Sequence, residues 1–387
     1  MPSGLGRAAF EIASALRDAG RDVTLIDASR PFGDVTRIED VGVVGAAPPS
    51  AGPWHRLRGV AGAGHLVAPL FFRRALAAEH ARRPFDVAEA TNWYAPAAFV
   101  RGLPLVVRNS TPAIDAFSDA MSLRDRADLR FAHRLEARTA RRADALISNT
   151  GSHAALIERL YDLPPSAEHA VVSLALAPET LRAGRAAGRP PEGPPRLLFV
   201  GRAERRKGFA ETLTAHAALV QRWRADGREP PALDLVGVDV GQVDRADGVV
   251  VHEKVDDDVL YALYAGATLV LAPSRYESFG LVYREAAAFG RPLVACAEDP
   301  AASEFVTETG CGVLAERCDA ASIAAATVRV LDDPDLRERC GKNGLEAAAR
   351  LSREALARET LTVYRRAAAR HLGRYGRNGR NKAAMSA

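Results

Sequence analysis

Cysteine is scarce in this 387-residue chain, and the four present (Cys296, Cys311, Cys318 and Cys340) show neither C-x-x-C spacing nor a histidine at metal-ligand spacing. No zinc site, no other metal and no disulfide framework is expected. Free thiols suit a reducing cytoplasm. No stretch approaches the roughly 18 uninterrupted apolar residues of a spanning helix, and the amino terminus lacks the charged, apolar and small-residue order of a signal peptide. Neither secretion nor membrane spanning is expected. Charge of one sign is lacking too: 52 basic and 48 acidic residues leave a net +4, and no nucleic-acid partner is expected. All but four of the basic residues are arginine. Arginine suits the paired recognition of phosphates and carboxylates, but genomic composition explains the bias more simply.

What the chain has is length and apolar content, 48% of residues, enough for two domains with a core each. The spacing of apolar residues predicts a helix over 7–20, ended by Gly20, and then a buried strand in "DVTLI". Further strands are expected in "FDVAEA" (85–90), "LPLVVR" (103–108) and "ADALIS" (143–148), with helices over about 122–143 and in "HAALIERLY". Residues 177–195, "APETLRAGRAAGRPPEGPP", are too rich in Pro and Gly for a regular element and read as a linker. A second series follows in "PRLLFVG", "ALDLVGV", "GVVVHE", "TLVLAPS" and "PLVACA", again alternating with helices. Strands apolar on both faces and alternating with helices imply parallel sheets covered on each side. The fold class is α/β, two Rossmann-like domains facing a central cleft. The expected divisions are 1–176, the linker 177–195, 196–352, a final helix over 353–371 and a disordered basic tail over 372–387.

The stretch "PSRYESFGLVYREAAAFGRP" (273–292) holds Glu277 and Glu285 around Phe279 and Gly280, where "TLVLAPS" turns into a helix. Open parallel sheets bind ligands beyond the carboxyl ends of their strands, and this is such an end. With Ser278 as cap, the amides near Phe279, Gly280, Leu281 and Val282 would point outward with the positive end of the helix dipole and bind phosphate. Glu285 is expected roughly 9 Å along the axis, which favours an elongated ligand over a glycosidase pair about 5–9 Å apart acting on one bond. A nucleotide sugar, with hydroxyls at each end and phosphates between, has that layout. Its diphosphate needs a second anion-binding element. "VGRAERRKG" (200–208) supplies one, placing Arg202 and Lys207 at another strand-to-helix turn; Arg205 and Arg206 read as solvated charge.

With these residues in view, the chain resembles the family-four retaining glycosyltransferases of GT-B fold. Glu277 and Glu285 match the E-x7-E motif; Gly201, Arg202, Lys207 and Gly208 match G-R-x4-K-G. "SGLGRAAFEIASALRDAGRDVTLI" is similar to the family's opening glycine loop and first helix, and "RRADALISNTGSHAALIERLY" to its last amino-terminal-domain strand and helix. The resemblance implies that Arg202 and Lys207 hold the donor diphosphate, Glu285 the ribose and Glu277 the transferred sugar. Phe279, Gly280 and Leu281 would add backbone contacts, and Gly4 and Gly6 would lie across the cleft against phosphates and acceptor. It implies transfer with retention and without a metal or other cofactor. The partners implied are a UDP- or GDP-linked hexose-type donor and an acceptor that is a glycan, a lipid-linked sugar or a small metabolite. A cytoplasmic enzyme of cell-envelope or polysaccharide synthesis is expected, and the basic tail is compatible with peripheral contact at the inner membrane face.

Two departures from the family pattern stand out. It has a complete strand before its glycine loop, where this sequence has "MPS": either the true start lies upstream or the first strand is lost, and a missing central strand would expose neighbouring strand edges and weaken the amino-terminal sheet. Many members carry a histidine in the loop after the strand equivalent to "LPLVVR"; here the text is "NSTP", with Asn109 and Ser110 on the acceptor side. Rival readings are an NAD-dependent dehydrogenase, since "GLGRAA" and Asp27 formally match a dinucleotide fingerprint, and a GT-B protein that transfers no sugar, either a sugar-nucleotide epimerase or an inactive nucleotide-binding partner. His133 and His153 are expected as surface or capping residues; Trp93 and Tyr94 as acceptor-pocket or packing residues; Glu304 as a helix-start acid; and Arg73, Arg74, Arg82 and Arg83 as a solvated face.

Overall fold

The computed structural model describes residues 4–58, 60, 62, 64–115, 122–243 and 247–384. In chain order the elements are α1 (Gly4–Asp18), β1 (Thr24–Pro31), β2 (Val35–Ile38), β3 (Val41–Ala47), α2 (Pro53–Arg58), α3 (Gly64–Arg82), β4 (Ala88–Thr91), β5 (Leu105–Arg108), α4 (Leu123–Arg142), β6 (Ala145–Ser148), α5 (Gly151–Leu160) and β7 (His169–Val171). They continue with α6 (Pro178–Ala186), β8 (Arg196–Val200), α7 (Phe209–Ala225), β9 (Ala232–Val236), β10 (Val249–His252), α8 (Asp257–Gly266), β11 (Leu269–Ala272), α9 (Leu281–Ala288), β12 (Leu293–Cys296), α10 (Pro300–Thr309), β13 (Gly312–Ala315), α11 (Ala320–Asp332), α12 (Pro334–Ala348) and α13 (Arg353–Ala384). Two compact units result: Met1–Leu174 with Arg353–Ala387, and Ala175–Ser352.

The second unit is a six-stranded, all-parallel sheet of order β10-β9-β8-β11-β12-β13. Its strands alternate strictly. Leu197, Phe199, Leu233, Leu235, Leu269, Leu271, Val294 and Cys296 join one core beneath α7 and α11, while Leu198, Val236, Val270, Ala272, Leu293 and Ala295 join another beneath α8, α9 and α10. Side chains two apart share a face, so apolar residues at every position demand helices on both sides. Strand order reverses between β8 and β11, which pair directly, Leu197 opposite Leu269. Such a reversal opens a crevice at the carboxyl ends of the two strands, since their following helices pack on opposite faces.

The first unit holds two sheets, β1-β3-β2 and β4-β5-β6-β7. Among the described residues β1 pairs only with β3 and β4 only with β5, so each sheet keeps an edge there. Helix α3 packs on both: Phe72 and Ala75 meet Ile26, Val44 and Ala46, and Leu76 meets Ala88, Ala90 and Leu105. The hairpin-like pair β2 and β3 was not legible in the sequence; "VGVVGAA" is apolar but short and glycine-broken. α13 packs on this unit through Arg353, whose guanidinium reaches Glu11 at 2.8 and 3.0 Å, and through Tyr364, which donates to Glu89 at 2.9 Å.

Three expectations are corrected. The stretch 177–195 contains a regular element after all, α6: Pro178 sits at the first helical position, where its missing N–H costs nothing, and Gly184 is needed for space, since a Cβ there would lie 2.1 Å from the Ala288 carbonyl oxygen. The final helix does not end at residue 371 but continues as helix to Ala384. Arg374 extends its packed face, donating to Asp144 Oδ1 at 3.3 Å; residues 385–387 of the expected tail lie outside the described residues. Gly4 and Gly6 form no loop: both lie in the first turn of α1. Asp27, the acid of the formal dinucleotide fingerprint, is occupied by the Ser29 amide and hydroxyl, each at 2.8 Å.

Candidate functional site

The loops after β8 and β11 meet at the strand-order reversal. After β8 a single 3-10 turn, Arg205–Lys207, is closed by Gly208 in the left-handed conformation at φ 66°. Glycine is required there twice over, because a Cβ would also stand 2.3 Å from the Pro273 carbonyl oxygen. That close approach ties the two loops together. Glu277, in the loop after β11, accepts from Lys207 Nζ at 2.5 Å, Arg206 Nη1 at 3.0 Å and Ser274 Oγ at 3.1 Å. Its backbone N–H donates to Asp299 Oδ1 at 3.0 Å, and Tyr283 donates to Asp299 Oδ2 at 2.5 Å. Burial pushes the Asp299 carboxyl up to about 6, against the opposing effect of those hydrogen bonds.

Helix α9 opens at Gly280, φ 72° and ψ 67°, with no side-chain cap. The expected cap at Ser278 is thus corrected: a left-handed glycine makes the turn instead. Leu281 and Val282 are first-turn residues whose amides have no partner within the helix. Phe279 is buried, 3% exposed. Glu285 is the fifth residue of α9 and accepts from the buried Tyr264 hydroxyl at 2.8 Å; burial, then the adjacent carboxylate, raises that phenol's pKa. A cavity of only about 10 Å³ lies between the loops, lined by Lys207, Ser274, Glu277, Gly280 and Val282 among others. It holds no more than one water. The paired Lys207 and Glu277 side chains are both part of its lining.

Arg202 is not among the residues brought together. Its guanidinium pairs with Glu204 at 2.8 Å and is 73% exposed, while Arg206, read as solvated charge, reaches Glu277 and the Tyr276 carbonyl. Arg206 and Lys207 are on the 3-10 turn, where neighbouring positions point about 120° apart, and Arg202 precedes it, so spacing alone did not tell which arginine turns inward. Gly201 follows β8, its N–H donating to the Val236 carbonyl at 2.9 Å.

In the first unit, the carboxyl ends of β4, β5 and β6 carry a polar network. Ser110 Oγ lies 3.0 Å from Asn92 Oδ1 and 3.1 Å from Thr91 Oγ1. Asn109, only 1% exposed, spends its amide on the Ile147 carbonyl and Ser148 Oγ, both at 3.1 Å. Ser148, His169 and Glu158 have the contacts of an acid–base relay, 2.9 and 3.0 Å, but Ser148 is fully buried, so the chain of bonds fixes β6 to β7. His153 is no surface residue: it is 2% exposed, and burial, then His169, lowers its pKa to about 4. Tyr94 stacks on His65 at 5.1 Å. Arg74 lies over the Trp54 and Phe71 rings, and Arg83 pairs with Asp22.

The family model for "Glycosyl transferases group 1" matches residues 182–347, and that for "Glycosyl transferase 4-like domain" matches 3–175. A D-inositol 3-phosphate glycosyltransferase of Nocardioides sp. is 32% identical over 350 residues, 82% of this chain and 75% of that protein. The chain belongs to the group 1 glycosyltransferases. This glycosyltransferase has the GT-B fold, as its structural neighbours show. Sucrose-phosphate synthase from Thermosynechococcus elongatus superposes with TM-score 0.72 at 24% identity, over 94% of this chain and 93% of the other. The E. coli trehalose-6-phosphate structure bound with UDP-2-fluoro glucose gives 0.66 at 14% identity, over 94% and 96%. No helix of this glycosyltransferase is long and apolar enough, among the described residues, to cross a membrane.

Sequence reading missed Arg206, Ser274, Tyr264, Tyr283 and Asp299. Only Asp299 had a signal: an aspartate directly before Pro300 is a helix start.

Proposed function

We propose that this glycosyltransferase moves a hexose-type sugar from a nucleotide-diphosphate donor to a hydroxyl acceptor with retention of configuration and without a metal. The observation that carries the reading is the convergence of Lys207, Glu277 and the amide end of α9 on one small cavity at the strand-order reversal. The diphosphate takes Lys207 from Glu277 and meets the Gly280–Val282 amides; Arg202, exposed and paired with Glu204, swings in. Glu277 keeps Arg206 and Ser274 as partners when Lys207 leaves, so its carboxylate stays charged and oriented toward the sugar. Glu285 takes the ribose hydroxyls. These cations and amides offset the diphosphate charge, which is what a metal would otherwise do.

In the transfer, the anomeric carbon–phosphate oxygen bond breaks and a bond from the acceptor oxygen forms on the same face. The acceptor proton passes to the departing phosphate. Lys207 and the amides stabilise the charge growing on that phosphate. Phosphorylated polyols and sugars are acceptor candidates, given the names of the relatives, alongside glycans and lipid-linked sugars of envelope synthesis; the site of action is the cytoplasm or the inner membrane face.

A calorimetric panel of UDP-, GDP- and ADP-sugars identifies the donor. With that donor, Glu277→Gln is expected to lose most turnover while keeping nucleotide affinity, and Lys207→Ala to lose both. Wild-type turnover in either variant, or a β-linked product from an α-linked donor, contradicts the proposal.

A further inference from the structure

The roles above leave Arg284 without one, yet it is 4% exposed beside the phosphate turn. Its guanidinium lies between the rings of Phe279 and Phe305, 4.2 Å from each centroid. Nη1 donates to the Phe279 carbonyl and, at 3.4 Å, to that of Gly280. Burial lowers its pKa to about 10, so it stays charged at neutral pH. An unpaired buried cation is costly. Two ring faces, two carbonyl dipoles and the field of the Asp299 and Glu304 carboxylates compensate this one.

Peptide geometry gives the arrangement a consequence. In a trans peptide the carbonyl of one residue and the N–H of the next point to opposite sides. Holding the Phe279 oxygen therefore turns the Gly280 N–H away from Arg284, and holding the Gly280 oxygen does the same for Leu281. Gly280 lines the cavity shared with Lys207 and Glu277. We propose that Arg284 is a positioning residue for the donor diphosphate, fixing both carbonyls so that the Gly280 and Leu281 amides are presented to the anion beside Lys207. The inference rests on the donor reading above.

The test titrates inorganic pyrophosphate, UDP, GDP and ADP separately into wild type, Arg284→Leu, Arg284→Lys and Phe305→Leu, with folding checked by circular dichroism. Arg284→Leu is expected to weaken the bound probes roughly tenfold or more. Arg284→Lys, which keeps a donor for one carbonyl, recovers most of the loss. Phe305→Leu removes a ring face, leaves both carbonyl contacts and stays within about threefold of wild type. Hydrogen exchange adds a readout that general packing does not move: pyrophosphate protects the peptide spanning 278–283 in wild type but not in Arg284→Leu. Wild-type affinity in Arg284→Leu, or equal losses in Arg284→Leu and Phe305→Leu, overturns the proposal. If Arg284→Leu does not fold, a folded Arg284→Lys decides, with loss of binding and protection overturning the proposal and their retention supporting it. A wild type that binds none of the probes removes the donor reading and this inference together, which tells the two failures apart.

Discussion

Gly280→Ala tests the turn on which the phosphate site depends. The left-handed backbone costs an alanine about 1–2 kcal/mol. Its Cβ would also stand 2.2 Å from Tyr283 Cδ2. Tyr283 cannot easily retreat, being 1% exposed with its hydroxyl bonded to Asp299 at 2.5 Å. Overpacking of that kind adds roughly 1–3 kcal/mol. Together about 2–5 kcal/mol is lost, a fall of roughly 4–20 °C in the melting temperature of the second unit at 2–4 °C per kcal/mol. Calorimetric melting measures it, with Gly266→Ala as control: Gly266 ends α8 with nothing within 4 Å of its missing Cβ. There alanine is expected to be neutral or stabilising by up to about 1 kcal/mol. Nucleotide binding should fail in the first variant and persist in the second. If Gly280→Ala melts within about 1 °C of wild type and binds nucleotide normally, the left-handed turn and its fixed amides are refuted.

Two pH effects of opposite sign are expected, one in each unit. Asp299 titrates near 6 instead of 3.8, so the folded state holds a proton the unfolded state has released between those values. Its stabilising contribution is full below the lower value and fades as pH rises through 6, about 3 kcal/mol in all. Asp299→Asn should remove that slope from melting curves between pH 4 and 7, and an unchanged slope would contradict the assignment. His153, lowered from 6.5 to about 4, must stay neutral in the folded state. Its contribution is full above 6.5 and is lost as pH falls toward 4, again about 3 kcal/mol, with His169 shifted in the same direction. His153→Leu should flatten the acid limb of first-unit melting, and a limb as steep as wild type would contradict the burial argument.

The second unit was nearly transparent in the sequence because its physics is local. Runs such as "LLFV" in β8 and "LVLA" in β11 are apolar at every position, and only a sheet covered on both faces tolerates that. Glu277, Lys207 and Gly280 sit at strand ends, and spacing located them. What spacing did not give was direction: Arg202, in the loop before the 3-10 turn, faces solvent, and Arg206, on the turn, faces Glu277. Nor did it give groups brought from afar, such as Asp299 and Tyr264, which reach the site through packing of α10 and α8. The first unit was less legible. β3 is interrupted by Gly42 and Gly45, and at Gly45 a Cβ would lie 1.9 Å from the Pro31 carbonyl oxygen, a crowding that no local pattern announces.

The most direct test of the central claim is a crystal structure soaked with whichever nucleoside diphosphate binds. The expected result has a phosphate oxygen within hydrogen-bond distance of Lys207 Nζ and of the Gly280 to Val282 amides, with Lys207 released from Glu277. A diphosphate bound elsewhere, with the Lys207–Glu277 pair intact, would contradict it.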